Sequence, residues 1–415
     1  MCFAMNAEAQ TPCDAGRYST ELFSSVTETT AIQFGQNVDF IGFNQNLLMD
    51  IYEPTGDTET ARPLIIFAHG GSFIGGTRND PDVDELCTRF AKRGFVCASI
   101  DYRVGMWPID STNAVKAVVR AVQDLKAAVR YFYMDAAATN TYGIDTNFIV
   151  IGGSSAGAIT ALHTAYLDQD CEVEPYITTT ELNNMGGIEG TSGNPGYSTD
   201  IVGVINLAGA LASYGWLEAG DVPLVSMHGD VDGTVPYSRG QASVSGFNVI
   251  YMDGSRILEE RASQEGVTHK FYTHYAAGHA PYAVSAAYMD TTVNVVTDFL
   301  TDLLSCTVPD LQTTNSPTGT AILHTLFYCG LSVNDLVFED VLAYPNPSTG
   351  EMTIDLASNL NVTVRIIDFS GRVIKELKDQ QVEFIISKDE LGAGGFLLQL
   401  TNEYGEQRTE KVLFR

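Results

Sequence analysis

Short apolar runs alternate with longer amphipathic stretches through most of the chain. Residues 63–69 (PLIIFAH), 95–100 (FVCASI), 148–151 (FIVI), 201–207 (IVGVINL), 223–227 (PLVSM) and 269–275 (HKFYTHY) read as strands. Continuous hydrophobicity of this kind fits strands buried on both faces. Between them, residues 82–92, 113–135, 156–167, 256–264 and 281–304 repeat apolar positions at helical spacing, the longest over about six turns. Residues 38–53 (VDFIGFNQNLLMDIYE) alternate instead, with a central Asn, as an antiparallel hairpin does. Strands alternating with helices predict a mostly parallel, eight-stranded sheet with helices on both faces. In such sheets functional groups gather beyond the carboxyl ends of the strands.

Two polar stretches interrupt the alternation, 104–112 with Trp107 and Pro108, and 172–200, rich in glycine. Each reads as a lid or pocket wall, or as a plain solvated loop. Residues 306–338 read as a linker, and 339–415 change character. There, short alternating segments (MTIDL, VTVRIIDF, FLLQL) separated by Gly and Asn turns predict a small all-β sandwich. The catalytic unit is expected over 11–305. Residues 1–10 (MCFAMNAEAQ) are small and apolar and end like a signal-peptidase site, although no basic n-region precedes them. They read as a signal-peptide remnant; an ordinary tail has the same composition.

The chain has 415 residues, 51 of them acidic against 23 Lys and Arg, for a net charge of −28. Nucleic acid and anionic membrane surfaces are therefore not expected as partners, because both need a basic footprint. No run of about 18 apolar residues occurs, so no membrane span is expected. If Cys2 leaves with a signal, Cys13, Cys87, Cys97, Cys171, Cys306 and Cys329 remain. Spacing does not select their pairing. A Cys306–Cys329 disulfide is the first expectation and buried free thiols the alternative. No CxxC or HExxH string occurs, so no metal or other cofactor is expected.

The chemistry concentrates in three places. Gly153-Ser154-Ser155-Ala156-Gly157 follows a buried strand and opens a helix, the context of a nucleophile elbow with Ser155 at its tip. A serine hydroxyl needs a base. The strand 223–227 is followed by HGDVDGTVP and the strand 269–275 by AAGHAP, which assigns Asp232 as the orienting carboxylate and His279 as the base. Asp230 is the competing acid. The Asp-x-Asp-Gly string also resembles a calcium loop, but its glycine and closing glutamate positions hold Val235 and Gln241. His228 and His274 read as structural, and His163 and His324 have no motif around them. Third, His69-Gly70-Gly71-Ser72-Phe73 follows the strand 63–68. Its backbone N–H groups at Gly71 and Ser72, with that of Ala156, are the expected oxyanion donors. His69 itself is expected to brace the loop. Trp107, Tyr214 and Trp216 are candidate pocket walls, or equally local core.

Together, HGGSF, Asp101-Tyr102-Arg103, GSSAG, HGDVDGTVP and GHAP resemble the carboxylesterase and hormone-sensitive-lipase-like branch of the α/β-hydrolases over residues 40–304. The resemblance implies the α/β-hydrolase fold and hydrolysis of carboxylic esters, of small molecules or of polymer-linked acyl groups, without a cofactor. Ser154 departs from the branch, where many relatives carry Asp or Glu. The segments YPNPSTG (344–350), IDFSGRV (367–373) and GGF (394–396) resemble the sorting domain of the type IX secretion system. That resemblance implies the secretion machinery as a partner and a secreted or outer-surface location in a Gram-negative bacterium. A peptidase of the prolyl-oligopeptidase kind would carry a propeller before the hydrolase, and about 40 residues stand there. A catalytically dead, adhesive hydrolase fold would show a lost Ser or His.

Overall fold

The computed structural model describes residues 13–173, 176–317, 321, 342–356, 362–368, 372–380, 383–402 and 407–415. The proposed signal remnant, Cys329 and His324 lie outside the described residues. The chain divides into two compact units, Met1–Ile322 and Leu323–Arg415.

In the first unit the strands are β1 (Val26–Val38), β2 (Asn44–Pro54), β3 (Arg62–Ala68), β4 (Val96–Ile100), β5 (Ile144–Ser154), β6 (Gly203–Leu207), β7 (Ala210–Leu211), β8 (Leu224–Gly229), β9 (Arg239–Val244), β10 (Phe247–Gly254) and β11 (His269–His274). The helices are α1 (Pro81–Ala91), α2 (Ser111–Ala138), α3 (Ala156–Tyr166), α4 (Thr179–Asn184), α5 (Ser255–Glu265) and α6 (Ala286–Leu303). Eight strands form one sheet in the order β1-β2-β4-β3-β5-β6-β8-β11. β1 and β2 are antiparallel at one edge, and all pairs from β4 to β11 are parallel. The run PLIIFA becomes β3, buried at every position, while the edge strand β1 is exposed or half-exposed everywhere but at Phe34. The hairpin expected over 38–53 therefore begins earlier, because its first arm is the edge strand β1. A second sheet, β7-β10-β9, was not anticipated. Its β9–β10 turn is Ser245-Gly246, both at positive φ, the geometry of a two-residue hairpin.

Residues 306–317, expected as the start of a linker, are in part tied to the first unit. The N–H groups of Leu311 and Gln312 donate to the buried Asp298 carboxylate (2.7 and 2.8 Å), and Thr273 N–H donates to Asn315 O (2.9 Å). Cys306 is bonded to Cys13 rather than to Cys329. The fold brings the end of α6 beside the first described residues, a proximity that spacing along the chain does not encode. Cys171 is also disulfide-bonded, whereas Cys87 and Cys97 are buried free thiols.

The second unit holds two antiparallel sheets. One is built from β12 (Leu342–Tyr344), β13 (Glu351–Asp355) and β16 (Glu383–Ser387), the other from β15 (Val373–Gln380), β14 (Val362–Asp368), β17 (Gly394–Asn402) and β18 (Gln407–Phe414). Alternate residues of β13 and β14, with Leu398, Leu400 and Phe414, form its core. Among the described residues no helix is long and apolar enough to cross a membrane.

Candidate active site

β5 ends at Ser154 and α3 begins at Ala156, so Ser155 alone makes the strand-to-helix turn. Its backbone sits at φ 54°, ψ −115°, a strained conformation for a residue with a side chain. Its N–H is held by the Leu207 carbonyl of β6 (2.8 Å). The flanking glycines are required by close approach. A Cβ on Gly153 would fall 2.2 Å from the carbonyl carbon of Gly157, and one on Gly157 would fall 2.0 Å from the carbonyl oxygen of Ala68. The turn leaves the hydroxyl at the N-terminus of α3, where unpaired N–H groups favour developing negative charge.

Ser155 Oγ donates to His279 Nε2 over 2.7 Å, and His279 Nδ1 donates to Asp232 Oδ2 over 2.6 Å. Asp232 comes from the turn after β8 and His279 from the turn after β11. The Asp232 side chain is fully buried. Its Oδ1 accepts from the N–H groups of Thr234 (2.8 Å) and Val235 (3.0 Å). Although burial alone would raise its pKa, donors from His228 and His279 hold the carboxyl far below its usual range. Asp230, the competing acid, accepts instead from the N–H of Ala276 (2.6 Å) and braces the loop that carries His279.

His228, read from sequence as structural, touches this carboxylate. Its Nε2 lies 3.2 Å from both Asp232 Oδ2 and Val235 O, and its Nδ1 lies 2.8 Å from Ser255 Oγ. The ring therefore ties the acid's turn to the start of α5. The only sequence signal was its place four residues before Asp232. His274 packs edge-on against Tyr288, and burial lowers its pKa to about 4.

The loop after β3 places Gly71 (φ 106°) and Ser72 (φ 56°) beside the nucleophile. A Cβ on Gly71 would meet Gly75 O at 2.1 Å. The N–H groups of Gly71, Ser72 and Ala156 donate to no acceptor among the described residues. The loop is held from behind. Tyr102 OH donates to His69 O (2.8 Å) and its ring stacks on that of His69 (centroids 4.3 Å apart), whose Nδ1 lies 2.7 Å from Gly70 O. Asp101 receives the Arg78 guanidinium (2.6 Å), and Arg103 is paired with buried Asp124. The Asp-Tyr-Arg string thus supports the site without lining it. Ser154 donates to Asp82 Oδ2 of α1 (2.6 Å) and lies 2.9 Å from Tyr282 OH. A carboxylate is therefore supplied at the elbow from α1.

Two cavities meet at Ser155. One encloses about 790 Å³, its open mouth included, and is walled by apolar side chains. Met106, Val115, Tyr176, Trp216, Val244 and Ile250 are among them. The stretches 104–112 and 172–200 thus each supply walls. The second cavity is open and more polar, lined by Gly70, Asp80, Asp82, His279 and Ala283 among others. Of the expected pocket aromatics Trp216 lines the apolar cavity, and Trp107 and Tyr214 line neither of these two. Trp107 is 76% exposed, and Tyr214 is buried under Arg261. The β9–β10 hairpin, which closes the apolar cavity, went unread because its alternation is short and half exposed. Among the described residues no group of three or more His, Cys, Asp or Glu is placed to hold a metal.

Residues 49–189 match the model of the BD-FAE family, and residues 342–415 match that of the Secretion system C-terminal sorting domain. The chain is 33% identical over 113 residues to Esterase LipC of Mycobacterium tuberculosis, covering 26% of this chain and 24% of LipC. It is 28% identical over 114 residues to the neuroligin-like protein glit-1 of Caenorhabditis elegans, covering 27% of this chain and 15% of that protein. It thus spans a quarter or less of the length of these curated relatives. Among solved structures, Thermogutta terrifontis esterase 2 phosphoramylated by tabun superposes with a TM-score of 0.50 at 20% identity. That match covers 69% of this chain and 98% of the other, a likeness of fold.

Proposed function

From a chain that joins a BD-FAE α/β-hydrolase domain to a secretion sorting domain, we propose an exported serine esterase that cleaves carboxylic esters through an acyl-enzyme on Ser155. The observation that carries the reading is the unbroken line of short hydrogen bonds Ser155–His279–Asp232. His279 Nε2 takes the hydroxyl proton as Ser155 Oγ adds to the ester carbonyl, and buried Asp232 stabilises the imidazolium. The N–H groups of Ala156 and of Gly71 or Ser72 receive the oxyanion, each worth on the order of 10²–10³ in turnover. The proton then passes from His279 to the leaving alcohol. Water, deprotonated by the same imidazole, adds to the acyl carbon and releases the acid, returning the proton to Ser155.

The direction of the substrate follows from the proton. The departing oxygen must face His279, which borders the polar cavity and not the apolar one. The alcohol half therefore occupies the open, polar side beside Asp80 and Asp82, and the acyl half enters the apolar cavity along α3. The sorting domain supports export by the secretion machinery, with a secreted or outer-surface destination in a Gram-negative host. The test is Ser155→Ala assayed on p-nitrophenyl acetate. Hydrolysis is expected to fall to background with an unchanged circular dichroism spectrum. Retention of most activity refutes the reading.

A further inference from the structure

Resting on the ester-hydrolase reading above, we propose that the apolar cavity ends in a hydrogen-bonding subsite, His163 with Glu172, that selects acyl groups carrying a hydroxyl at their far end.

Ser155, Ile159, His163 and Leu167 follow one another at intervals of four along α3, and all four line the cavity. The cavity therefore runs along one face of the helix. Eight residues separate the nucleophile from His163, about 12 Å at the helical rise. Between them the wall is apolar. At the far end, where α3 finishes and the turn Asp170–Glu172 follows, two titratable side chains border the same space.

His163 is 4% exposed. Its Nδ1 lies 2.8 Å from the Ile159 carbonyl. A carbonyl only accepts, so Nδ1 carries the proton. Burial keeps the ring neutral, with its pKa lowered to about 4. Nε2 is therefore a lone-pair acceptor, and it receives no hydrogen bond among the described residues. Trp216 meets the ring edge-on (centroids 5.5 Å apart) and limits how it can turn. Glu172 is 8% exposed. Its Oε2 accepts from the N–H groups of Asp168 (3.0 Å) and Gln169 (3.1 Å), which pins the carboxyl, while Oε1 takes no partner among the described residues. Both residues line the cavity, and neither free acceptor atom is sealed from it. An acyl chain that reaches one with an O–H gains a net hydrogen bond there, whereas a plain methyl end gains none. Neither residue has a place in the Ser155–His279–Asp232 chemistry.

The shared ligand chemistry is a terminal hydroxyl, on an alkyl or an aryl frame. The experiment compares kcat/KM for two ester pairs on the full-length enzyme. One pair is p-nitrophenyl octanoate and its ω-hydroxy counterpart. The other is p-nitrophenyl phenylpropanoate and its para-hydroxy counterpart. A preference of about threefold to tenfold for the hydroxylated member is expected in at least one pair, the yield of one net hydrogen bond. The pair that shows it identifies the frame. In His163→Leu that ratio is expected to fall to about one. Because each ratio is taken within one protein, partial loss of folding cancels. If His163→Leu does not fold, His163→Phe, which keeps an aromatic ring against Trp216 but has no ring acceptor, is expected to lower the same ratio. Equal kcat/KM within both pairs for the wild type, or a preference unmoved in the folded variants, overturns the subsite. If the wild type hydrolyses p-nitrophenyl acetate but neither member of either pair, the subsite is overturned and the esterase reading stands; failure on the acetate as well counts against the esterase reading.

Discussion

Replacing Asp232 by Asn tests the proposed acid more sharply than removing it, because the surroundings dictate how the amide must sit. Asp232 Oδ1 accepts two backbone N–H groups, from Thr234 and Val235, while Oδ2 faces His279 Nδ1. An NH₂ group placed among the two backbone donors would oppose both, so the Asn oxygen must take the Oδ1 position. The NH₂ group then faces His279 and donates to Nδ1. The imidazole must move its proton to Nε2, where it can no longer accept from Ser155. The wrong tautomer costs on the order of 10⁴ in kcat in a comparable triad, about 5.4 kcal/mol of activation free energy. Asp230→Asn removes no contact to the base; its Oδ1 partner, the Ala276 N–H, can still bond the amide oxygen. A change within about tenfold is expected there, below 1.4 kcal/mol. The assay is kcat on p-nitrophenyl acetate for both variants, with thermal unfolding to show that each is folded. A folded Asp232→Asn enzyme within tenfold of wild type, or a larger loss in Asp230→Asn, refutes the assignment.

Three further outcomes are expected. A chain ended after residue 317 keeps its hydrolytic activity, since the described cavities are lined by residues before that point; one ended at 310 unfolds at lower temperature, because buried Asp298 loses the Leu311 and Gln312 donors. Equal thermal stability of the two chains contradicts this. Burial pushes the Glu172 carboxyl from its ordinary 4.5 up to about 7, so across that window the unfolded state gives up the proton first and stability falls as pH rises. The melting temperature of Glu172→Gln minus that of wild type should therefore grow between pH 4.5 and 7 and level off above, whereas a flat difference contradicts the burial of the carboxyl. Gly157→Ala, whose Cβ would press on the Ala68 carbonyl, should destabilise by at least about 1–3 kcal/mol in chemical unfolding; a neutral effect means the elbow packs differently.

The parallel core was legible because β3, β4, β6 and β8 are buried end to end, as in PLIIFA, and because α2 and α3 carry helical periodicity. Ser155, Asp232 and His279 could be singled out because each falls just after an apolar strand run. What could not be read lies in contacts between distant segments. Cys13 meets Cys306 across 293 residues. Ser154, Asp82 and Tyr282 form one network from three separate elements. His228 looks like strand interior until the turn after β8 folds its acid back onto it. The β9–β10 hairpin mixes Arg239, Gln241 and Ser243 with its apolar positions, so its period is diluted, although the Ser245-Gly246 pair was a usable turn signal. Trp107 shows the converse failure: an aromatic in a loop near the site suggested a pocket wall, yet its side chain faces solvent.

The proposed chemistry is tested most directly by trapping the covalent step. The wild-type enzyme should be treated with paraoxon, digested and analysed by mass spectrometry, in parallel with Ser155→Ala. One diethylphosphoryl group per chain, on the peptide containing Ser155, with activity lost in proportion to labelling and no label in Ser155→Ala, is the predicted result. Label on a different residue, or full inactivation with Ser155 unmodified, would contradict it.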